Sequence, residues 1–261
     1  MSKQLPIPFE ERKIIQLNML KEIDFFCKNQ NIKYSLAFGT LLGAVRHKGF
    51  IPWDDDVDIM MPLEDMLKFK ELFKSENMRY CDVDTEPYYE WPFSRIAHNN
   101  TYNKIGIVAK GYGISIDLYP VIIIPEENSK REKFFHNAIN FQQKRYKYIK
   151  WCRRIVKYFP IKTIPGFKEA NVKFRDYLLN TNIKLHDGLY FIVAGTSKRI
   201  EKYIFNTNLF NQVIDIEFEN LKFCSIKNYD HYLTKIYGDY MTPPPPDKRI
   251  PYHGGCYYWK D

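Results

Sequence analysis

Between Leu36 and Ile59 the chain reads LAFGTLLGAVRHKGFIPWDDDVDI, and this run limits what the fold can be. IKYSLAF is rich in β-formers and alternates, so it reads as a strand. Gly39-Thr40 breaks it. LLGAVRH has room for a short helix, and GFIPW must loop because Gly49 and Pro52 interrupt any period. VDIMM alternates again, as a second strand. Asp54, Asp55, Asp56 and Asp58 fall within five positions at its start. Carboxylates this close resist ionising together. They need either open solvent or a cation among them. On an alternating strand Asp56 and Asp58 share one face, and Val57 and Ile59 the other.

The rest of the chain supplies the surroundings. Residues 9–29 carry Ile15, Met19, Leu20, Ile23 and Phe26 near a helical period. LEDMLKFKELFKS reads as a helix, and strands are expected near 79–83, 93–97 and 104–109. In GISIDLYPVIII, Ile114, Ile116 and Leu118 alternate with Ser115, Asp117 and Tyr119. That puts Asp117 on the polar face of a buried strand, where an unpaired carboxylate is costly. Helices are expected at 129–158, 168–181 and 229–236, and strands near 202–206 and 214–226. YGDYMTPPPPDKRIPYHGG must run extended, because its prolines can neither continue a helix nor pair centrally.

With 45% apolar residues, the 261-residue chain can bury a sizeable core. It admits one domain over 1–261, with 129–182 as a basic helical insertion. No apolar run reaches membrane-spanning length, and MSKQLPIPFEERK lacks a signal core. The five cysteines are scattered without a C-x-x-C pair. That pattern fits a reducing cytoplasm rather than a disulfide framework.

Three features then belong together. Asp56 and Asp58 offer hard oxygen ligands for Mg²⁺ or Mn²⁺. Asp117 adds a third carboxylate from another strand. The Gly39-Thr40 turn opens a helix N-terminus, which suits phosphate. The combination is equipment for phosphoryl transfer, in which positioning and charge neutralisation do most of the catalysis. An EF-hand is excluded, since its ligands spread over a longer loop.

GTLLGAVRHKGFIPWDDDVDI resembles the signature of the LicD family, related to fukutin and fukutin-related protein. SIDLYP resembles that family's downstream Asp motif, and IYGDYMTPPPPDKRIPYH its C-terminal motif. The resemblance implies an α+β, nucleotidyltransferase-like fold: a mixed sheet flanked by helices, here with an additional helical region. It implies transfer of a phospho-alcohol from a CDP-linked donor to a hydroxyl of a cell-surface glycan, such as lipopolysaccharide, teichoic acid or capsule, with release of CMP. Asp56 and Asp58 match the D-x-D expected to hold Mg²⁺ or Mn²⁺. Asp117 matches the third carboxylate, as a further metal ligand or as general base. Gly39 and Thr40 match the phosphate-binding turn, and one of Asp54 and Asp55 would orient the loop or hold a second metal. Arg46 is placed either to clamp a phosphate or to pair with the aspartates. Lys248, Arg249 and His253 on the Pro-rich tail either close over the diphosphate or belong to a structural wrap.

The donor stays open between choline and a polyol. Trp53, Tyr88, Tyr89, Trp91, Tyr112 and Tyr119 would suit a quaternary ammonium, whereas AHNNTYN at 97–103 would suit glycerol or ribitol. Rival readings are a D-x-D glycosyltransferase using a nucleotide sugar and a fold that has lost its chemistry. Residues 130–175 hold fourteen Lys/Arg against Glu132 and Glu169, a net of +12, which leaves 8 − 12 = −4 for the remainder. FQQKRYKYIKWCRRIVKYFPIK mixes this charge with aromatics, so a peripheral attachment to an anionic membrane surface is expected over 141–159. Lys150, Arg153, Arg154 and Lys157 would carry it, with a solvated helix face as the alternative. No nucleic-acid partner is expected, because no recognition module accompanies the charge.

Overall fold

The computed structural model describes residues 5–86, 89, 91, 93–103, 111–158, 166–183, 188–194, 200–251 and 255–260. Strand β1 (Ser35–Leu36) pairs antiparallel with β2 (Asp58–Pro62). β2 runs parallel to the long β6 (Ser115–Ile124), with Asp58 opposite Asp117. The first half of β6 also pairs with β4 (Ser94–His98), which pairs with β3 (Met78–Cys81). Its second half pairs with β7 (Leu189–Ile192), and β7 pairs with β8 (Ile204–Phe205). This seven-stranded sheet is mixed: β2–β6 is parallel and the other pairs are antiparallel.

Helices cover it. α1 (Phe9–Asn29) buries Met19, Leu20, Ile23 and Cys27, spaced three and four apart, and carries Glu10 and Glu11 in its first turn and Lys28 in its last, as the helix dipole favours. α2 (Phe38–His47) packs on β2, and α3 (Leu63–Leu72) on β2 and β6. α4 (Asn128–Tyr158) and α5 (Phe167–Ile183) pack together between β6 and β7 in the chain, and α5 covers β6. Two small antiparallel pairs complete the structure. β9 (Val213–Phe218) pairs with β10 (Leu221–Ile226). β5 (Thr101–Asn103) pairs with β11 (Tyr257–Trp259), next to which the Ile7 N–H donates to the Tyr257 carbonyl at 2.7 Å. α6 (Tyr229–Tyr237) precedes the tail, which runs extended apart from one short turn at Pro246–Lys248.

The mixed α+β arrangement expected from the family resemblance is present. Two readings need correction. Gly39 and Thr40 lie within the first turn of α2 rather than ahead of it, since the Phe38 N–H donates to the Tyr232 hydroxyl at 3.1 Å and starts the helix early. β6 is the buried strand expected, with Ile116 through Ile122 all buried and Asp117 facing the interior. β7 and β11 are additional strands. The strand expected at 104–109 lies outside the described residues.

Candidate active site

The register of the central strands builds the site. Asp58 is opposite Asp117 across β2 and β6, and Asp117 is opposite Arg95 across β6 and β4. Paired residues on neighbouring strands point to the same side. A row of Arg95, Asp117 and Asp58 therefore crosses three strands. Thr40 secures its end from α2, where its hydroxyl accepts the Asp58 N–H at 2.8 Å.

The charges along the row are unequally matched. Arg95 grips Asp117 as a fork, with Nε 2.7 Å from Oδ1 and Nη2 donating to Oδ2 at 2.9 Å. The guanidinium lies 4.0 Å from the Trp91 ring centre, and the adjacent carboxylate raises its affinity for its proton despite burial. Asp58 is 6% exposed, and its Oδ1 has no hydrogen-bond partner among the described residues. Burial, then Asp56, Asp117 and Asp54, push its pKa well up, while the Tyr119 hydroxyl pulls it down. Asp54 is pushed up to about 8 by burial and by contact with Asp56. Asp54, Asp55 and Asp56 each bring a carboxylate oxygen within 4.8 Å of the others. A strained carboxylate cluster with an orphaned buried oxygen beside it fits a divalent cation, which would satisfy Asp58 and relieve the repulsion.

Asp54 also answers for Gly39. A Cβ there would overlap the Asp54 Oδ2, so glycine lets that carboxylate rest against the first turn of α2. Asp54 thus lies beside the helix end expected to cradle phosphate, and Gly39 lines the larger cleft.

Two clefts meet at Asp56. The larger, about 460 Å³, is lined by Gly39, Arg46, Trp53, Asp58, Tyr240 and Thr242 among others. The smaller, about 180 Å³, includes Trp91, Arg95 and Asp117 in its wall. Asp56 lines both. Arg46 points into the larger cleft and donates to the Tyr240 carbonyl at 2.6 Å. No ion pair between Arg46 and the aspartates occurs among the described residues. Burial and the nearby Arg249 lower its hold on its proton. Arg46 is the one cation in the described lining of this cleft, opposite Asp54, Asp56, Asp58 and Asp239. Arg249 lies 5.2 Å from the Trp53 ring centre and donates to the Pro244 carbonyl. Lys248 is exposed and does not line the cleft. His253 and Tyr88 lie outside the described residues. Of the aromatics considered for choline, Trp53 lines the larger cleft and Tyr119 meets Asp58. Tyr89, Trp91 and Tyr112 instead pack edge to face with one another.

Sequence reasoning missed Arg95, and also Asp239 and Tyr240 of the larger cleft. The signal for Arg95 was an arginine directly before the apolar pair Ile96-Ala97 of an expected strand, where a buried carboxylate partner is needed.

Known proteins resemble this chain over the segment that builds the site. The family model for the LicD/FKTN/FKRP nucleotidyltransferase domain matches residues 31–174, which contain the whole carboxylate row. The lipopolysaccharide cholinephosphotransferase LicD of Haemophilus influenzae is 26% identical over 259 residues, covering 95% of this chain and 96% of its own length. An uncharacterized protein of Rickettsia typhi is 37% identical over 93 residues, 35% of this chain and 26% of its own. One of Rickettsia prowazekii is 44% identical over 54 residues, 21% of this chain and 20% of its own. With more than half of its length matched by the family model, the site included, this chain belongs to the LicD/FKTN/FKRP nucleotidyltransferase family.

Proposed function

We propose that the protein transfers phosphocholine from a CDP-linked donor to a hydroxyl of a cell-surface glycan and releases CMP. The carrying observation is that Asp58, whose Oδ1 has no partner among the described residues, lines a cleft that also presents Arg46. Choline rather than glycerol or ribitol is favoured by the full-length similarity to a lipopolysaccharide cholinephosphotransferase. The aromatic lining of the larger cleft also suits a quaternary ammonium.

Asp56 and Asp58 would hold Mg²⁺ or Mn²⁺. Bound there, the ion would neutralise the diphosphate and the charge that develops as CMP departs. The protein's own groups do the rest. Arg46 and Arg249 bind phosphate oxygens in the larger cleft. The acceptor oxygen bonds to the phosphorus that carries choline, and the bond from that phosphorus to the CMP oxygen breaks. Asp117 takes the proton of the attacking hydroxyl. The transition state is loose, so that transfer comes late, while Arg95 holds the carboxylate in place.

The test is CMP release from purified protein with Mg²⁺ and a glycan acceptor extract, run separately with CDP-choline, CDP-glycerol and CDP-ribitol. CDP-choline is expected to be used at least tenfold faster. Preference for a polyol donor changes the transferred group, and turnover of UDP- or GDP-sugars instead would overturn phosphoryl transfer.

The basic helix is part of this proposal. α4 buries Phe134, Ala138, Arg145, Ile149 and Cys152 along one stripe. On the opposite side Lys144, Lys147, Lys150 and Arg154 are exposed, with Trp151 among them at 55%. No acidic residue occurs from 133 to 168. Among the described residues no helix is long and apolar enough to cross a membrane. A cationic face with an exposed tryptophan suits the surface of an anionic bilayer, where each Lys or Arg contributes about 1 kcal/mol. Replacing Lys147, Lys150 and Arg154 by Gln should weaken binding to phosphatidylglycerol vesicles on the order of a hundredfold at low salt. Equal binding by wild type to neutral phosphatidylcholine vesicles counts against it.

A further inference from the structure

Asp56 stands between two clefts of different character. The larger cleft combines Arg46, with Arg249 nearby, and the carboxylates of Asp54, Asp56 and Asp58, a set that suits a nucleoside diphosphate only together with a divalent cation. The smaller is lined by Asp55 and Asp56 beside the Arg95–Asp117 ion pair, an acidic surround that disfavours a phosphate and leaves carboxylate oxygens to accept from the hydroxyls of an uncharged ligand. What it offers besides are the amides of Gln16 and Asn103, the Ser115 hydroxyl, and the rings of Trp91 and Tyr257.

We infer that this smaller cleft seats one sugar ring of the acceptor, with the attacking hydroxyl turned toward Asp56 and Asp117. The inference rests on the phosphoryl-transfer reading above and assigns its second substrate a place. Three observations support it. First, displacement at phosphorus needs the incoming and leaving oxygens roughly in line on opposite sides. A nucleotide in the larger cleft therefore leaves the far side of Asp56 for the acceptor, and that side is the smaller cleft. Second, the lining matches the ligand. Amide side chains both donate and accept, as a ring of hydroxyls requires, and aromatic rings cover the apolar C–H faces. Third, about 180 Å³ admits a single sugar ring and is too small for a nucleotide.

The cleft is also held rigidly. The Gln16 amide bridges the Asp55 and Ser115 carbonyls, both at 3.4 Å, tying the aspartate loop to β6. The Arg12 guanidinium donates to the Gly255 carbonyl at 3.0 Å, and Tyr257 is pinned between β5 and the chain's N-terminal segment. Walls that do not rearrange bind a small polar ligand with less loss of entropy.

Two variants on the sugar side, Asn103→Ala and Ser115→Ala, and one on the nucleotide side, Arg46→Ala, separate the clefts. Steady-state transfer from CDP-choline to the glycan extract is measured at varied concentrations of each substrate. Each sugar-side variant is expected to raise the acceptor KM about tenfold with the donor KM unchanged, and Arg46→Ala to do the reverse. In parallel, saturation-transfer NMR with the methyl glycosides of glucose, galactose and N-acetylglucosamine reads sugar binding without chemistry. Transfer to at least one glycoside should appear with wild type and fall away in both sugar-side variants. A donor KM that moves with Asn103→Ala and Ser115→Ala, or an acceptor KM that moves only with Arg46→Ala, overturns the assignment. Glycoside binding that is lost in the sugar-side variants while no CDP donor is consumed keeps the sugar cleft and refutes the phosphoryl-transfer reading instead.

Discussion

Asp58→Asn should abolish transfer while making the metal-free protein more stable. Asp58 is buried, lacks a partner for Oδ1, and faces Asp56, Asp117 and Asp54. Its charge is a cost that only a bound cation repays. The amide removes that cost and weakens the ligand set. Activity should fall about 10³-fold, the scale of losing one electrostatic contact to a transition state. Melting should rise by about 2–4 °C for each kcal/mol relieved.

The pH dependence has a definite sign. Asp54 is raised to about 8 in the folded chain, from 3.8. Between those values the folded state holds a proton that the unfolded state has lost. Stability is therefore fully present below about pH 4 and falls as pH rises toward 8. Melting curves of wild type in EDTA should show that slope. With Mg²⁺, which would neutralise the Asp56 charge beside it, the slope should flatten. A variant that melts lower than wild type in EDTA, or that keeps its activity, would sink this account of the site.

Arg95→Met should be the most damaging single change in the sheet. It leaves the Asp117 carboxylate buried without its fork, and breaking a buried pair by removing one partner costs about 3–5 kcal/mol. Chemical denaturation with urea reads this directly. Arg95→Lys should restore only part of the loss, because an ammonium cannot reproduce the two contacts at 2.7 and 2.9 Å or the stacking on Trp91. The double variant Arg95→Met with Asp117→Leu should regain most of the stability and none of the activity. Recovery of activity in the double variant would mean that the pair only holds the strands together.

Periodicity and turn chemistry made much of the frame legible. α1, α3, α4, α5 and α6 carry apolar residues at helical spacing, and β2 and the first half of β6 alternate. β7 was not legible. LYFI is short and becomes a strand because the second half of β6 needs a partner along that edge. The early start of α2 was hidden for a similar reason, since the Tyr232 hydroxyl that accepts from Phe38 lies on a helix far along the chain. In the site, the spacing of Asp56, Asp58 and Asp117 marked the carboxylates. Their unequal fates depended on register, which one strand alone does not disclose. Only the pairing of β4 with β6 puts Arg95 opposite Asp117, while Asp58 Oδ1 has no hydrogen-bond partner among the described residues.

The row from Arg95 through Asp117 to Asp58 also bears on how the chain folds. Its members come from strands that begin at residues 58, 94 and 115, and they meet only when the middle of the sheet closes. Parallel pairing of β2 with β6 is a non-local contact, whose loop-closure entropy must be overcome before any contact compensates. Until that step, four aspartates lie along a loose, hydrated segment where they repel one another little. The electrostatic burden is thus imposed late, by the closing event itself. A divalent ion that captures the closed arrangement would act mainly by slowing its reopening, so the ligand set doubles as a latch on the centre of the sheet.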